Sequence, residues 1–153
     1  PPPFDADDVA FARRMQKTVT PAHIESAFRR SGLPVTDFPL CNAIAPKEVP
    51  GPRMMGSTDV GDVSWAVPTV QARGATYTIG TPGHSWQLTA HGQSPLAHKG
   101  MVHVAKIMAG VAADVLVEPG LLEQAKADFA ERLTRTPYKP LLPDDAKPPF
   151  HMF

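Results

Sequence analysis

The sequence predicts an α/β fold in which long amphipathic helices pack on a few strands. Over residues 97–117, Met101, Val104, Met108, Val111 and Val115 recur at spacings of three and four, the period of a helix with one apolar face. Two short runs, 69–72 and 75–79, meet at Arg73-Gly74 and read as two strands, or as one strand bulged at the glycine. A turn, Gly80-Thr81-Pro82-Gly83, follows at once and presents His84. At 153 residues the chain is one domain's worth of sequence, long enough to bury a core.

The remaining elements follow from local signals. Phe4-Asp5-Ala6-Asp7-Asp8-Val9 has the form of a capped helix start. Asp5 caps, Asp7 and Asp8 complement the helix dipole, and Phe4 staples onto Val9. This helix is expected to reach about residue 19 with Phe11, Met15 and Val19 on one face. Thr20-Pro21 opens a second helix, striped by Ile24 and Phe28 and ended by Gly32. Pro34, Pro39, Pro46, Pro50 and Pro52 exclude a long helix over 34–52 but leave room for a short buried strand at 35–40 or 43–45. Ser57 or Thr58 caps a short helix, with Asp59 and Asp62 near its positive end and Val60, Val63 and Val67 inward until Pro68. Residues 80–95 read as loop. Glu118-Pro119-Gly120 ends the long helix and starts the last one, with Leu121, Leu122, Ala125, Phe129 and Leu133 inward. The tail from Pro137 is Pro-rich and extended.

Composition narrows the function classes. Lys+Arg and Asp+Glu balance at 15 each, so no charge footprint points to nucleic acid or an anionic membrane. No apolar run approaches the ~18–20 residues of a membrane span. A lone Cys41 excludes an intrachain disulfide framework and any Cys-rich zinc module. These features point to a soluble protein of the reducing cytoplasm. The start Pro1-Pro2-Pro3, without Met, reads as an internal point of a longer polypeptide.

His84 is the sharpest candidate for chemistry. A neutral imidazole on a loop after a strand can aim at a cleft as a ligand for zinc, manganese or cobalt. The same position suits an ordinary surface histidine. A zinc site needs three or four ligands, and no HExxH or HxxxH pair supplies them. His91 and His98 read as solvated loop histidines, the alternative being that they hydrogen-bond substrate or cap helix ends. Asp59 and Asp62 have the form of paired acid/base carboxylates, but helix-start acids also arise for dipole reasons alone. Trp65 and Trp86 read as core, or as a pocket wall. Ser85 beside His84 is no triad, since no G-x-S-x-G elbow is present. From the residues alone the function stays unassigned.

The run GSTDVGDVSW, followed by GTPGHSWQLTAHGQSPLAHKGM, resembles the metal-dependent amidohydrolases of the aminoacylase and carboxypeptidase G family, and within it the aminobenzoyl-glutamate utilization branch. The likeness extends to the opening FDADDVAFA and to PGLLEQAKADF. It implies that residues 1–153 are the C-terminal part of a catalytic domain, one segment of a three-layer α/β/α zinc-peptidase-like sandwich. The N-terminal part and the lid or dimerisation domain would be absent. The implied reaction is hydrolysis of the amide bond of an N-acyl amino acid or an aminobenzoyl-glutamate-like substrate by a metal-activated water.

By the same resemblance His84 matches the family's last metal ligand. Ser57, Thr58 and Asp59 match a small-acidic motif that orients groups at the cleft edge, and Gly83, Ser85 and Trp86 shape the pocket. Two zinc ions, or manganese or cobalt, are implied for each complete catalytic domain. The family's first ligands, in an HxD or Cys-x-His motif, and its Glu-Glu pair are not in the chain. The general-base glutamate is therefore expected upstream, and the isolated chain is expected to be inactive. The partners implied are the small amide substrate, the N-terminal part of the same protein and a second copy of the complete protein. A second reading is a non-catalytic module acting in binding or self-association.

Overall fold

The computed structural model describes residues 1–46, 58–143, 145–148 and 150. It divides into two compact units, one formed by Pro1–Met54 with Ala72–Ala112 and the other by Met55–Gln71 with Ala113–Phe153.

In the first unit, α1 (Ala6–Gln16) starts as its sequence dictates. The Asp5 carboxylate accepts the Asp8 N–H at 3.0 Å, and Asp8 returns the bond to the Asp5 N–H at 3.0 Å, a reciprocal capping box. Asp8, Ala12 and Met15 form its buried stripe; of the stripe expected, Met15 is buried and Phe11 and Val19 are half-buried. α2 (Pro21–Ser31) has the Thr20 cap, Pro21 in its first turn and Gly32 in the left-handed conformation at φ 65°. Its Phe28 is buried. The core gathers Ala12, Leu40 and Leu96, with Phe4, Val9, Phe11 and Phe38 packed around them.

Residues 80–95, expected to be loop, contain a short helix, α4 (Trp86–His91), and the first residue of α5 (Pro95–Val117). Ser85 caps α4 by accepting the Leu88 N–H on its Oγ at 3.2 Å. The first turns of α5 are held down by buried Leu96, Ala97 and Gly100. At Gly100 the Ala75 carbonyl lies so close that a Cβ would collide with it, so only glycine lets this segment cross the helix. Lys99 Nζ reaches Asp5 Oδ2 and Asp8 Oδ2, each at 2.5 Å, and ties α5 to the start of α1.

The α/β expectation is overturned. Among the described residues there are helices and no strand, so the chain is not an α/β/α sandwich. Residues 35–40, 43–45, 69–72 and 75–79 have strand composition but find no ladder partner. β-branched residues favour an extended backbone, but a strand exists only when its N–H and C=O groups pair with a neighbour. Here a single backbone bond, Ile79 N–H to Pro39 C=O at 2.9 Å, joins two of these segments.

The second unit holds α3 (Val60–Ala66) and α6 (Pro119–Arg135), which are fixed by polar and aromatic contacts. The Trp65 and Tyr138 rings stack at 5.5 Å, and Arg132 lies 5.0 Å from the Trp65 centroid and 5.4 Å from that of Phe129. Arg132 also donates to the Ser64 carbonyl, and the Tyr138 hydroxyl donates to Asp62. Val60, Val63 and Val67, expected inward, are exposed. The α6 stripe keeps its helical period, with Leu122, Ala125, Phe129 and Leu133 half-buried, while Leu121 is exposed.

By length and composition α5 qualifies as long and apolar enough to cross a membrane, with a mean hydropathy of 1.6 over an 18-residue window, contrary to the expectation that no stretch would. Its residues beyond the first turns leave Met101, Met108, Leu116 and Val117 exposed.

Candidate functional site

The candidate residues are divided between the two units. His84, Gly83, Ser85 and Trp86 belong to the first unit, and Thr58 and Asp59 to the second. Ser57 lies outside the described residues. The N-cap position of α3 is Asp59, which makes no side-chain cap, and not Thr58, one residue earlier, whose Oγ1 accepts the Val60 N–H at 3.3 Å. Asp62 accepts the Tyr138 hydroxyl. No group of three or more His, Cys, Asp or Glu that could hold a metal occurs among the described residues. These residues by themselves therefore do not fit a metal centre, because one imidazole cannot hold the ion.

The turn that carries His84 is closely built. Its base is Thr78, fully buried, whose carbonyl accepts from the Thr81 N–H at 3.1 Å and from Thr81 Oγ1 at 2.7 Å. Gly80 follows at φ 92°, with Ile24 packed against it so that any side chain would collide. On the far side Ser85 Oγ donates to the Pro82 carbonyl at 2.7 Å and caps α4. Between these anchors His84 sits exposed at φ 53°. Among the described residues it is the one non-glycine in the left-handed region, a conformation that side chains other than Asn, Asp and His seldom adopt. Trp86 is 62% exposed and is not part of the core.

His91, expected to be a solvated loop histidine, is buried. Its Nε2 accepts the Thr78 N–H at 3.2 Å and lies 2.8 Å from Thr78 Oγ1, while Nδ1 lies 2.6 Å from the Gln87 carbonyl. An amide N–H can only donate, so Nε2 is unprotonated and the ring proton sits on Nδ1, donated to Gln87. Phe11 meets the ring edge-on at 5.4 Å. Burial pushes the His91 pKa below its usual value, opposed by the bond to Gln87. The signal for the helix that carries His91, though not for its burial, was present in the sequence: Ser85 is a good cap, and no Gly or Pro follows before Gly92.

In sequence the chain is similar to one component of a hydrolase. The relative is the second of the lettered subunits of p-aminobenzoyl-glutamate hydrolase from Escherichia coli (strain K12), 30% identical over 158 aligned residues that take in 96% of this chain. The alignment takes in 33% of that protein, so the chain spans about a third of the length of the curated relative it matches. The likeness expected from the central motif is thereby borne out. No protein-family model and no solved structure matches the chain.

Proposed function

We propose that the chain is part of a cytoplasmic amidohydrolase that cleaves an aminobenzoyl-glutamate-like or N-acyl-amino-acid amide, and that His84 is its contribution to the reacting centre. The observation that carries the reading is the backbone at His84. A non-glycine residue held at φ 53° on an exposed turn, between a packed glycine and a capped helix, is strain that the surroundings enforce. The similarity to a p-aminobenzoyl-glutamate hydrolase component supports the reaction class. In this reading His84 is one ligand of a divalent metal pair, zinc, manganese or cobalt. The other ligands and the general-base glutamate come from residues outside these 153. Thr58 and Asp59 orient groups at the edge of the site, and Gly83, Ser85 and Trp86 border His84. The relative is named as one subunit of its enzyme, so the reading includes a partner chain.

The test is a pair of substitutions in the full-length protein, assayed on p-aminobenzoyl-glutamate. His84→Ala and His84→Gly should each lower turnover at least about a hundredfold, the scale of a lost group at the reacting centre. Only His84→Gly relieves the backbone, and it should raise stability by about 1 kcal/mol. Unchanged turnover in both variants removes His84 from the site.

A further inference from the structure

We propose that His91 is the positioning residue of the His84 turn, closing the neck of the loop that runs from residue 78 to residue 91. The inference rests on the reading of His84 given above. Thr78 and His91 lie thirteen positions apart in sequence and meet through two contacts to one ring nitrogen, both residues being buried. The segment between them thus has its ends tied together, the defining property of an Ω-loop.

The ties form a closed circuit. His91 holds Thr78 through Nε2 and holds Gln87 of its own helix through Nδ1. Ser85 caps that helix and binds the Pro82 carbonyl, and Thr81 returns to the Thr78 carbonyl. His84 lies inside this circuit, and every bond of it fixes backbone within six residues of the ring it carries. Among the described residues, four polar contacts fasten the circuit to the rest of the first unit. Gln16 Nε2 donates to the Ile79 carbonyl at 3.5 Å, and Thr78 Oγ1 lies 3.5 Å from the Ala12 carbonyl oxygen. Ile79 N–H donates to Pro39 at 2.9 Å, and Gln87 Nε2 donates to the Thr18 carbonyl at 3.2 Å.

The chemistry at the neck is demanding. One edge must accept from an N–H and a hydroxyl of Thr78, and the opposite edge must donate to a carbonyl. Neutral imidazole offers that pair in a rigid ring. Glutamine can reproduce it with its amide oxygen and nitrogen. Leucine fills the same space and leaves the Thr78 N–H without a partner, the hydroxyl keeping only the Ala12 carbonyl at 3.5 Å.

The experiment compares His91→Gln and His91→Leu with the parent in the full-length protein. It reads backbone hydrogen exchange over residues 78–85 together with kcat and KM on p-aminobenzoyl-glutamate. In His91→Leu, exchange over 78–85 should rise at least about tenfold while α1 and α2 exchange as before, the mark of a local opening. Its kcat should fall about tenfold with KM within about twofold, as expected when a reacting group is misplaced. His91→Gln should restore both readouts. Parent-like exchange over 78–85 in His91→Leu overturns the proposal, and so does a rise spread equally over α1 and α2. Faster loop exchange with unchanged kcat overturns the link to His84. Should His91→Leu fail to fold, Thr78→Val decides: it removes the hydroxyl's contacts to His91 at 2.8 Å and to the Ala12 carbonyl at 3.5 Å but keeps the N–H bond to His91, so it should open the loop by a smaller factor, and parent-like exchange overturns the proposal. Failure of the His84 reading is separate, because His84→Ala with unchanged kcat leaves the exchange over 78–85 as it is.

Discussion

At the scale of single residues, two histidines seven positions apart play opposite parts. His84 is exposed and strained, and its value lies in what its ring can reach. His91 is buried and fully hydrogen-bonded, so its value lies in staying neutral. Burial lowers the pKa of His91 from 6.5. The unfolded chain therefore binds a proton at this site before the folded chain does, and stability is full above pH 6.5 and falls as the pH drops below it. Melting temperature should decrease between about pH 7 and about pH 5, and His91→Gln, which cannot titrate, should flatten that slope. A parent whose melting temperature holds level or rises on acidification over this range would contradict the neutral assignment. His84 was legible in the sequence, because a glycine-rich turn after an apolar run presents whatever follows it. The burial of His91 was not legible, because Thr78 and Phe11, which pack against it, lie outside its own helix and, for Phe11, far off in sequence.

At the scale of elements, the capping signals translated directly into structure. Asp5, Thr20 with Pro21, and Gly32 all act at the helix ends their chemistry prescribes. Patterns that needed a partner were read less well, since a β-branched run specifies an extended backbone but not the neighbour that would make it a strand. The contact between α1 and α5 was likewise invisible: Lys99 lies 94 positions from Asp5 and 91 from Asp8. Lys99 holds the Asp5 carboxyl down to about 2 by direct hydrogen bonding, with help from the Asp8 amide, and its own pKa is raised in return. The sign differs at the two ends of the pH scale. The Asp5 contribution to stability is present above 3.8 and lost as the pH falls toward about 2. The Lys99 contribution is present below 10.5 and lost as the pH rises through its raised value. In Lys99→Met the Asp5 carboxyl, followed by NMR, should titrate closer to 3.8 yet remain below it, because the Asp8 amide still donates. An Asp5 that still titrates at about 2 in that variant would mean the capping box alone sets its acidity.

At the scale of the molecule, each unit shows how much of its apolar surface its own residues cover. The first unit has a core at Ala12, Leu40 and Leu96, yet along α5 it leaves Met101 60% and Met108 64% exposed. The second unit has no buried residue in α3 or α6 among those described, and it relies on Arg132, Trp65 and Tyr138. Apolar helix faces this open are uncommon on a self-sufficient monomer and mark surfaces that another surface covers. The chain also spans about a third of the length of its hydrolase relative, and its described residues hold no cluster of metal ligands. Together these observations lead to a definite expectation for residues 1–153 produced alone. The preparation should bind a dye specific for exposed apolar surface, scatter light as a polydisperse species and show no hydrolysis of p-aminobenzoyl-glutamate with or without added zinc. Hydrolysis by a monodisperse monomer would overturn the assignment of the remaining catalytic groups to residues outside this chain. An inactive but well-defined oligomer would favour the binding or self-association module, because a helix face that finds its own partner needs no further polypeptide to cover it.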